Sequence, residues 1–176
     1  MTDLELEQCI AEYGADIYSF CCCLTGSRQE ADDLYQETFL RAVEKQKALD
    51  AEENPKSYLL SIAVLLWKNQ RRKAAWRKRI ADIQQAGYAE AETHLQENGD
   101  DSPESRMMKK EMQKEVRNAV DRLPDKMKVT VLLFYMEERS VEQIAGILHI
   151  PRGTVKSRLH QARRILKREL EYMLNE

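Results

Sequence analysis

Glycine and proline are scarce: 6 Gly and 4 Pro in 176 residues leave too few breakers for a turn-rich sheet protein and predict long helices. Histidine is scarcer still, with 3 residues at the scattered positions 94, 149 and 160. No glycine-rich phosphate loop and no metal-ligand spacing accompanies them, so neither a catalytic constellation nor a metal or cofactor site is expected, and the chain does not read as an enzyme. Long apolar runs are missing too. The longest, Tyr58 to Trp67, is interrupted by Ser61 and falls well short of the roughly 20 residues a membrane span needs. The 4 Cys are Cys9 and the run Cys21-Cys22-Cys23. Consecutive residues of a helix diverge by about 100°, so three in a row cannot converge on one metal. With no secretory pattern ahead of them, they read as reduced, mostly buried small hydrophobes of a cytoplasmic protein.

What the chain does have is charge, sorted by position. The formal net charge of −2, spread evenly, would argue against a nucleic-acid partner. Residues 1–55 are strongly acidic, whereas Lys56 to Arg79 holds Lys56, Lys68, Arg71, Arg72, Lys73, Arg77, Lys78 and Arg79 without one Asp or Glu. Residues 139–176 are basic again. Only local charge matters within a Debye length of about 8 Å, so this segregation predicts separate surfaces for separate partners.

Helical periodicity organises the rest. Ile10, Tyr13, Ile17, Phe20 or Cys21, and Leu24 mark a first helix that Thr25-Gly26-Ser27 ends. Ala31, Leu34, Tyr35, Thr38, Phe39, Ala42 and Val43 form one stripe of a second, with Asp33, Gln36, Glu37, Arg41 and Glu44 opposite. Pro55 is placed to open a third helix, apolar nearly all round to Trp67 and therefore expected at the centre of a bundle; its basic continuation should project beyond the core. From Gly87 to Pro103 the pattern dissolves into Glu, Asn, Gly, Asp and Ser, the composition of a flexible acidic linker. A helix restarts near Ser105, runs through Met112, Val116 and Val120 to Leu123, and stops at Pro124. Val129 to Met136 forms another, ending at Glu138-Arg139. The expected fold is all-α: two small helical domains, 1–86 and 105–176, joined by a linker over 87–104.

The segment Ser140 to Leu166 carries the sharpest local signal. Ser140 and Gln143 spell a capping box. Ile144, Ala145 and Leu148 should face inward, and His149 sits where the turn asks for a left-handed residue. A second helix follows, burying Val155, Leu159, Ala162 and Leu166 and presenting Lys156, Ser157, His160, Arg163 and Lys167, with Arg158 alongside. This is a helix-turn-helix, whose second helix can lie in a DNA major groove. Its first turn, Gly-Thr-Val-Lys-Ser-Arg, is small and donor-rich where base edges would be. A plain helical hairpin with a solvated basic face has the same pattern.

Here the residues resemble a family: the bacterial sigma factors of the extracytoplasmic-function (ECF) class, short sigma factors keeping only the second and fourth conserved regions. The resemblance rests on Ala31-Asp32-Asp33-Leu34-Tyr35-Gln36-Glu37-Thr38-Phe39-Leu40-Arg41-Ala42 and on Pro55-Lys56-Ser57-Tyr58-Leu59-Leu60-Ser61-Ile62-Ala63 in the first module. In the second it rests on Leu123-Pro124, Ser140-Val141-Glu142-Gln143-Ile144-Ala145 and Pro151 to Leu159. It implies that Asp33, Leu34, Gln36, Glu37, Phe39 and Arg41 bind core RNA polymerase. It implies minus-ten DNA contacts from Lys56, Ser57, Tyr58, Lys68, Asn69, Arg71 and Arg72, with the loop from Leu49 to Tyr58, rich in Asp50, Glu52 and Glu53, holding a flipped base. Minus-thirty-five contacts would come from Arg152, Thr154, Lys156, Ser157, Arg158, His160, Gln161 and Arg164. Arg163, Arg164 and Lys167, later on the helix, would meet phosphates. The implied partners are core polymerase, promoter DNA and an anti-sigma factor. Two positions depart from the family's habit: Leu65 stands where many members have Asn, and Gln161 where some have Arg. Either Asn69 replaces the missing base contact or specificity there is looser.

Two other readings share parts of this pattern. A helix-turn-helix regulator with a sensing or dimerising first module predicts specific DNA binding without polymerase. A helical adaptor that binds only protein predicts no dependence on DNA.

Overall fold

In the computed structural model, residues 3–44, 54–84 and 103–174 are described, with side chains over 7–44, 54–81 and 107–172. They fall into two compact units, Met1–Leu95 and Gln96–Glu176, and among the described residues there is helix but no strand. The all-α expectation therefore holds. The Leu49–Glu53 part of the base-holding loop and the linker up to 102 lie outside the described residues.

The first unit is a three-helix bundle of α1 (Asp3–Thr25), α2 (Arg28–Glu44) and α3 (Pro55–Gln84). The first helix ends where the sequence said: Gly26 takes φ 71°, its N–H donates to the Cys22 carbonyl at 3.1 Å, and the Thr25 hydroxyl donates to the Cys21 carbonyl at 2.9 Å. Ile17, Phe20, Cys21 and Leu24 meet Ala31, Leu34, Thr38 and Ala42 in the core. Buried Thr38 satisfies its hydroxyl on the Leu34 carbonyl at 2.7 Å. Gly14 leaves room for the Tyr35 hydroxyl, from which a Cβ there would stand 3.0 Å. Tyr35 lies edge-on to Tyr18 and Phe39, with centroids 5.5 and 4.9 Å apart, and Tyr18 donates to Asp32 Oδ1 at 2.7 Å. Cys9 and Cys21 are buried, Cys22 and Cys23 half-buried.

Pro55 does open α3, behind an Asn54 cap whose Oδ1 accepts from the N–H groups of Lys56 and Ser57 at 3.1 and 3.3 Å. Leu59, Leu60, Ala63, Val64 and Trp67 are buried against α1 and α2. The helix is not enclosed on all sides, however. A bundle of three leaves each member one solvent-facing strip, and Leu65 lies on it, 51% exposed. Ile10 and Val43, at the edges of their stripes, are exposed for the same reason. Beyond Trp67 the 30-residue helix, about 45 Å long, leaves the core as expected: every side chain from Arg71 to Ala81 is exposed.

The second unit begins with α4 (Pro103–Asp121), two residues before Ser105, so the expected linker loses residues 103 and 104 to helix. The helix expected through Met112 and Val116 forms, with Met107, Met108, Met112 and Val116 exposed and burial beginning at Ala119 and Leu123. A stripe states what a helix offers; its neighbours decide how much is covered. The helix expected over Val129–Met136 is α5 (Asp125–Val131) followed by a π-helical turn, Leu132–Met136. There the Glu137 N–H reaches the Leu132 carbonyl at 3.1 Å, and Glu138 takes φ 51°. The wider turn buries Val129 through Leu133 without a break and leaves Phe134 half-buried and Tyr135 exposed.

The last two helices are α6 (Val141–Leu148) and α7 (Arg152–Leu174). Both halves of the capping box form: Ser140 Oγ accepts from the Gln143 N–H at 3.1 Å and Gln143 Oε1 from the Ser140 N–H at 3.0 Å. His149 is left-handed, φ 53° and ψ 49°. Its N–H donates to the Gly146 carbonyl at 3.3 Å and that of Ile150 to Ala145 at 3.1 Å, the bond pair of a Schellman turn. Ile144, Ile147 and Leu148 bury against Val155, Leu159 and Ala162, while Ala145 and Leu166 are half-buried.

Candidate nucleic-acid interface

The turn at His149 fixes where α7 points, and the three buried residues of α7 fix its rotation. With Val155, Leu159 and Ala162 inward, Gly153, Lys156, Ser157, His160, Arg164 and Lys167 form one exposed strip. Arg152 and Gln161 are exposed beside it; Thr154 and Arg158 are half-buried. Arg158 follows Val155 by three residues and precedes Ala162 by four, which turns its stem along the core edge. Arg152 is joined to Glu142 at 3.4 Å, an exposed pair that contributes at most about 0.2–1 kcal/mol. It does hold one cation at the start of the strip.

Arg163 behaves differently from its neighbours. Its guanidinium carbon lies 5.5 Å from the Phe134 ring centre and 5.7 Å from that of Tyr135, and its Nε donates to the Tyr135 hydroxyl at 2.6 Å. The two rings meet edge-on at 4.9 Å. The π-helical turn thus supplies an aromatic seat that holds the Arg163 guanidinium beside Phe134 and Tyr135. No periodicity rule anticipates that turn.

On α3 the anticipated minus-ten residues divide. Lys68 and Asn69 are half-buried at the core edge, and Arg71 and Arg72 are exposed, Arg72 donating to Asn69 Oδ1 at 3.2 Å. Lys56 is ion-paired to Asp16 at 2.5 Å, which ties the start of α3 to α1. Ser57 is half-buried. The Tyr58 hydroxyl is buried with no hydrogen-bond partner among the described residues, and burial raises its pKa. Trp76, which the sequence reading passed over, is 64% exposed within this basic stretch.

The α2 face is also clearer than its sequence. Asp33, Gln36 and Arg41 are exposed and Glu37 is half-buried. Leu34 and Phe39 lie in the core, so their side chains hold the helix and leave the surface to the others. Leu40, 64% exposed, stands among those polar side chains at i+3 and i+4 spacing from Glu37 and Gln36 and is the apolar point of the face. Among the described residues no helix is long and apolar enough to cross a membrane, and no group of three His, Cys, Asp or Glu could hold a metal ion.

Comparison with known proteins agrees with this division into two units. Residues 9–77 match the family model for sigma-70 region 2, and residues 113–166 the model for sigma-70 region 4. The chain is 31% identical, over 90% of its length and 84% of the relative's, to the ECF RNA polymerase sigma factor SigW of Bacillus subtilis. It is 30% identical, over 84% of its length and 78% of the relative's, to the ECF RNA polymerase sigma-E factor of Haemophilus influenzae. Among solved structures it is similar to the sigma factor RpoE of Bartonella quintana, in complex with the anti-sigma factor NepR. That match has a TM-score of 0.77 and 23% identity and covers 95% of this chain and 97% of that one, a likeness of fold.

Proposed function

Since the chain belongs to the ECF class of RNA polymerase sigma factors, we propose how its two units divide the work of promoter-specific initiation in the cytoplasm. The first, 1–86, grips core polymerase through the exposed α2 face, Asp33, Gln36, Glu37, Leu40 and Arg41, and meets minus-ten DNA with Asn69, Arg71 and Arg72. The second, 105–176, reads the minus-thirty-five element with Lys156, Ser157 and His160, while Arg164 and Lys167 meet phosphates. Residues 87–102 tether the two. An anti-sigma factor would act by covering the α2 face. The observation that carries this reading is the exposed strip of α7, aimed by the Schellman turn at His149 and rotated by the Val155–Leu159–Ala162 stripe.

The experiment adds the chain to core RNA polymerase and sequences transcripts from a promoter library. The expected result is initiation from a defined promoter class. Lys156→Ala should relax preference at one or two upstream positions, at about 1–3 kcal/mol, and reversing Asp33 and Glu37 to Lys should abolish co-elution with core polymerase at unchanged helicity. Specific DNA binding without polymerase, and no initiation with it, would turn the reading toward a free-standing regulator.

A further inference from the structure

An acidic group stands beside the reading strip of α7. From Arg152 to Arg168 the sequence has no Asp or Glu, so no carboxylate of α7 itself faces DNA over those residues. One is brought in from α6. Glu142 Oε1 accepts from Arg152 Nη1 at 3.4 Å, across the turn at His149. Both side chains are exposed, and the start of α6 is already held by the Ser140–Gln143 box. An acid at the edge of a surface that meets a polyanion works against binding, so its use lies in what it does to Arg152. We propose that Glu142 is a positioning residue of the minus-thirty-five reader, a buttress that holds the Arg152 guanidinium over a base edge and away from the phosphates. This role rests on the reading of promoter DNA by α7.

A free arginine in the first turn of a recognition helix can swing to a phosphate, and a phosphate contact carries no sequence information. A carboxylate on Nη1 alters that choice twice over. It repels phosphates, and it fixes the plane of a rigid, planar fork of donors. Nε and Nη2 have no partner among the described residues. They are the parallel donors that a base edge with two acceptors takes up in the major groove. Discrimination then comes from the contact denied as well as from the contact made.

The test is initiation by the full chain with core RNA polymerase from a promoter library, at two salt concentrations. Arg152→Ala should lower discrimination at one upstream base pair about five- to 150-fold. Glu142→Gln should relax that same base pair and steepen the salt dependence by roughly one unit of slope, as Arg152 turns to a phosphate. Adding Glu142→Gln to Arg152→Ala should leave discrimination where Arg152→Ala alone puts it. A carboxylate that only favours the start of α6 would instead give faster amide exchange of α6 in Glu142→Gln with base preference unchanged, and that result would overturn the proposal. So would relaxation at a different base pair, or further relaxation in the double variant. Lys156→Ala is read on the same library. If it moves preference and Glu142→Gln does not, Glu142 is no buttress; if neither does, α7 is not the reader and Arg152 has no base contact for Glu142 to support.

Discussion

Arg163 should matter to the stability of the second unit and not to its salt-dependent grip on DNA. Its guanidinium is shared between two aromatic rings at 5.5 and 5.7 Å, and an exposed cation–π contact contributes about 0.5–1 kcal/mol. The 2.6 Å bond to the Tyr135 hydroxyl has a charged donor, nominally about 1.5–3 kcal/mol. Both side chains are exposed, so solvent screening brings that contribution to the bottom of its range or below. Arg163→Ala should then cost about 1 kcal/mol, which would speed amide exchange of α7 about fivefold where it proceeds through opening of this unit. Tyr135→Phe, keeping the ring and losing the hydroxyl, should cost less, and the double variant should fall short of the sum. Against DNA, Arg164→Ala or Lys167→Ala should flatten the salt dependence by roughly one unit of slope, and Arg163→Ala should not. If Arg163→Ala leaves exchange untouched and flattens the slope as Lys167→Ala does, the aromatic seat is incidental and Arg163 is a phosphate contact.

Ser140→Ala removes the hydroxyl half of the capping box and should cost about 1 kcal/mol, read as faster exchange in α6, with Ser140→Asp close to wild type; unchanged α6 exchange in the alanine variant would refute it. The first unit should lose stability in alkali. Tyr18 is held above the ordinary 10.0 by its hydrogen bond to Asp32 and then by burial, Tyr35 by burial first, Tyr58 by burial, and Tyr13 by a hydrogen bond to Glu12. Raised values mean that the folded chain keeps its phenol protons longer than the unfolded one. Their contribution is complete below pH 10 and is lost as pH rises through the folded values. The urea midpoint followed by Trp67 fluorescence should therefore fall above about pH 10, less steeply in Tyr18→Phe, and a flat profile would contradict the assignment.

Local chemistry was legible in the sequence wherever a few adjacent residues decide the geometry. The stop at Gly26, the Pro55 start, the Ser140–Gln143 box and the left-handed His149 each depend on neighbours within one turn, and each is where it was expected. What was not legible depended on partners far along the chain. Met112 and Val116 have the spacing of a core stripe, but nothing in α4 says where the helices packed against it end. The π-helical turn at Leu132–Met136 was invisible for a related reason. A run of five apolar residues suits a helix of either pitch, and the choice is settled by which of them must be buried together.

The interfaces show the same dependence from the other side. Lys156, Ser157 and His160 were identifiable because the buried stripe of α7 rotates them outward, a deduction that needs only 3.6 residues per turn. That deduction treats every outward cation alike, and so placed Arg163 with Lys167 although an aromatic pair 28 residues earlier in the chain claims it. On α2 the difference runs the other way. Leu34 and Phe39 came with the motif, yet they serve the core, while Leu40, on neither face as read from the sequence, stands 64% exposed among Gln36, Glu37 and Arg41. A side chain that is fully desolvated at the centre of an interface, ringed by contacts that exclude water, can carry much of the binding energy, and Leu40 has that place in this face. The charged residues around it favour approach and orientation more than affinity. Leu40→Asp should therefore raise the dissociation rate from core polymerase, whereas reversing Asp33 and Glu37 should both slow association and weaken the complex enough to abolish co-elution.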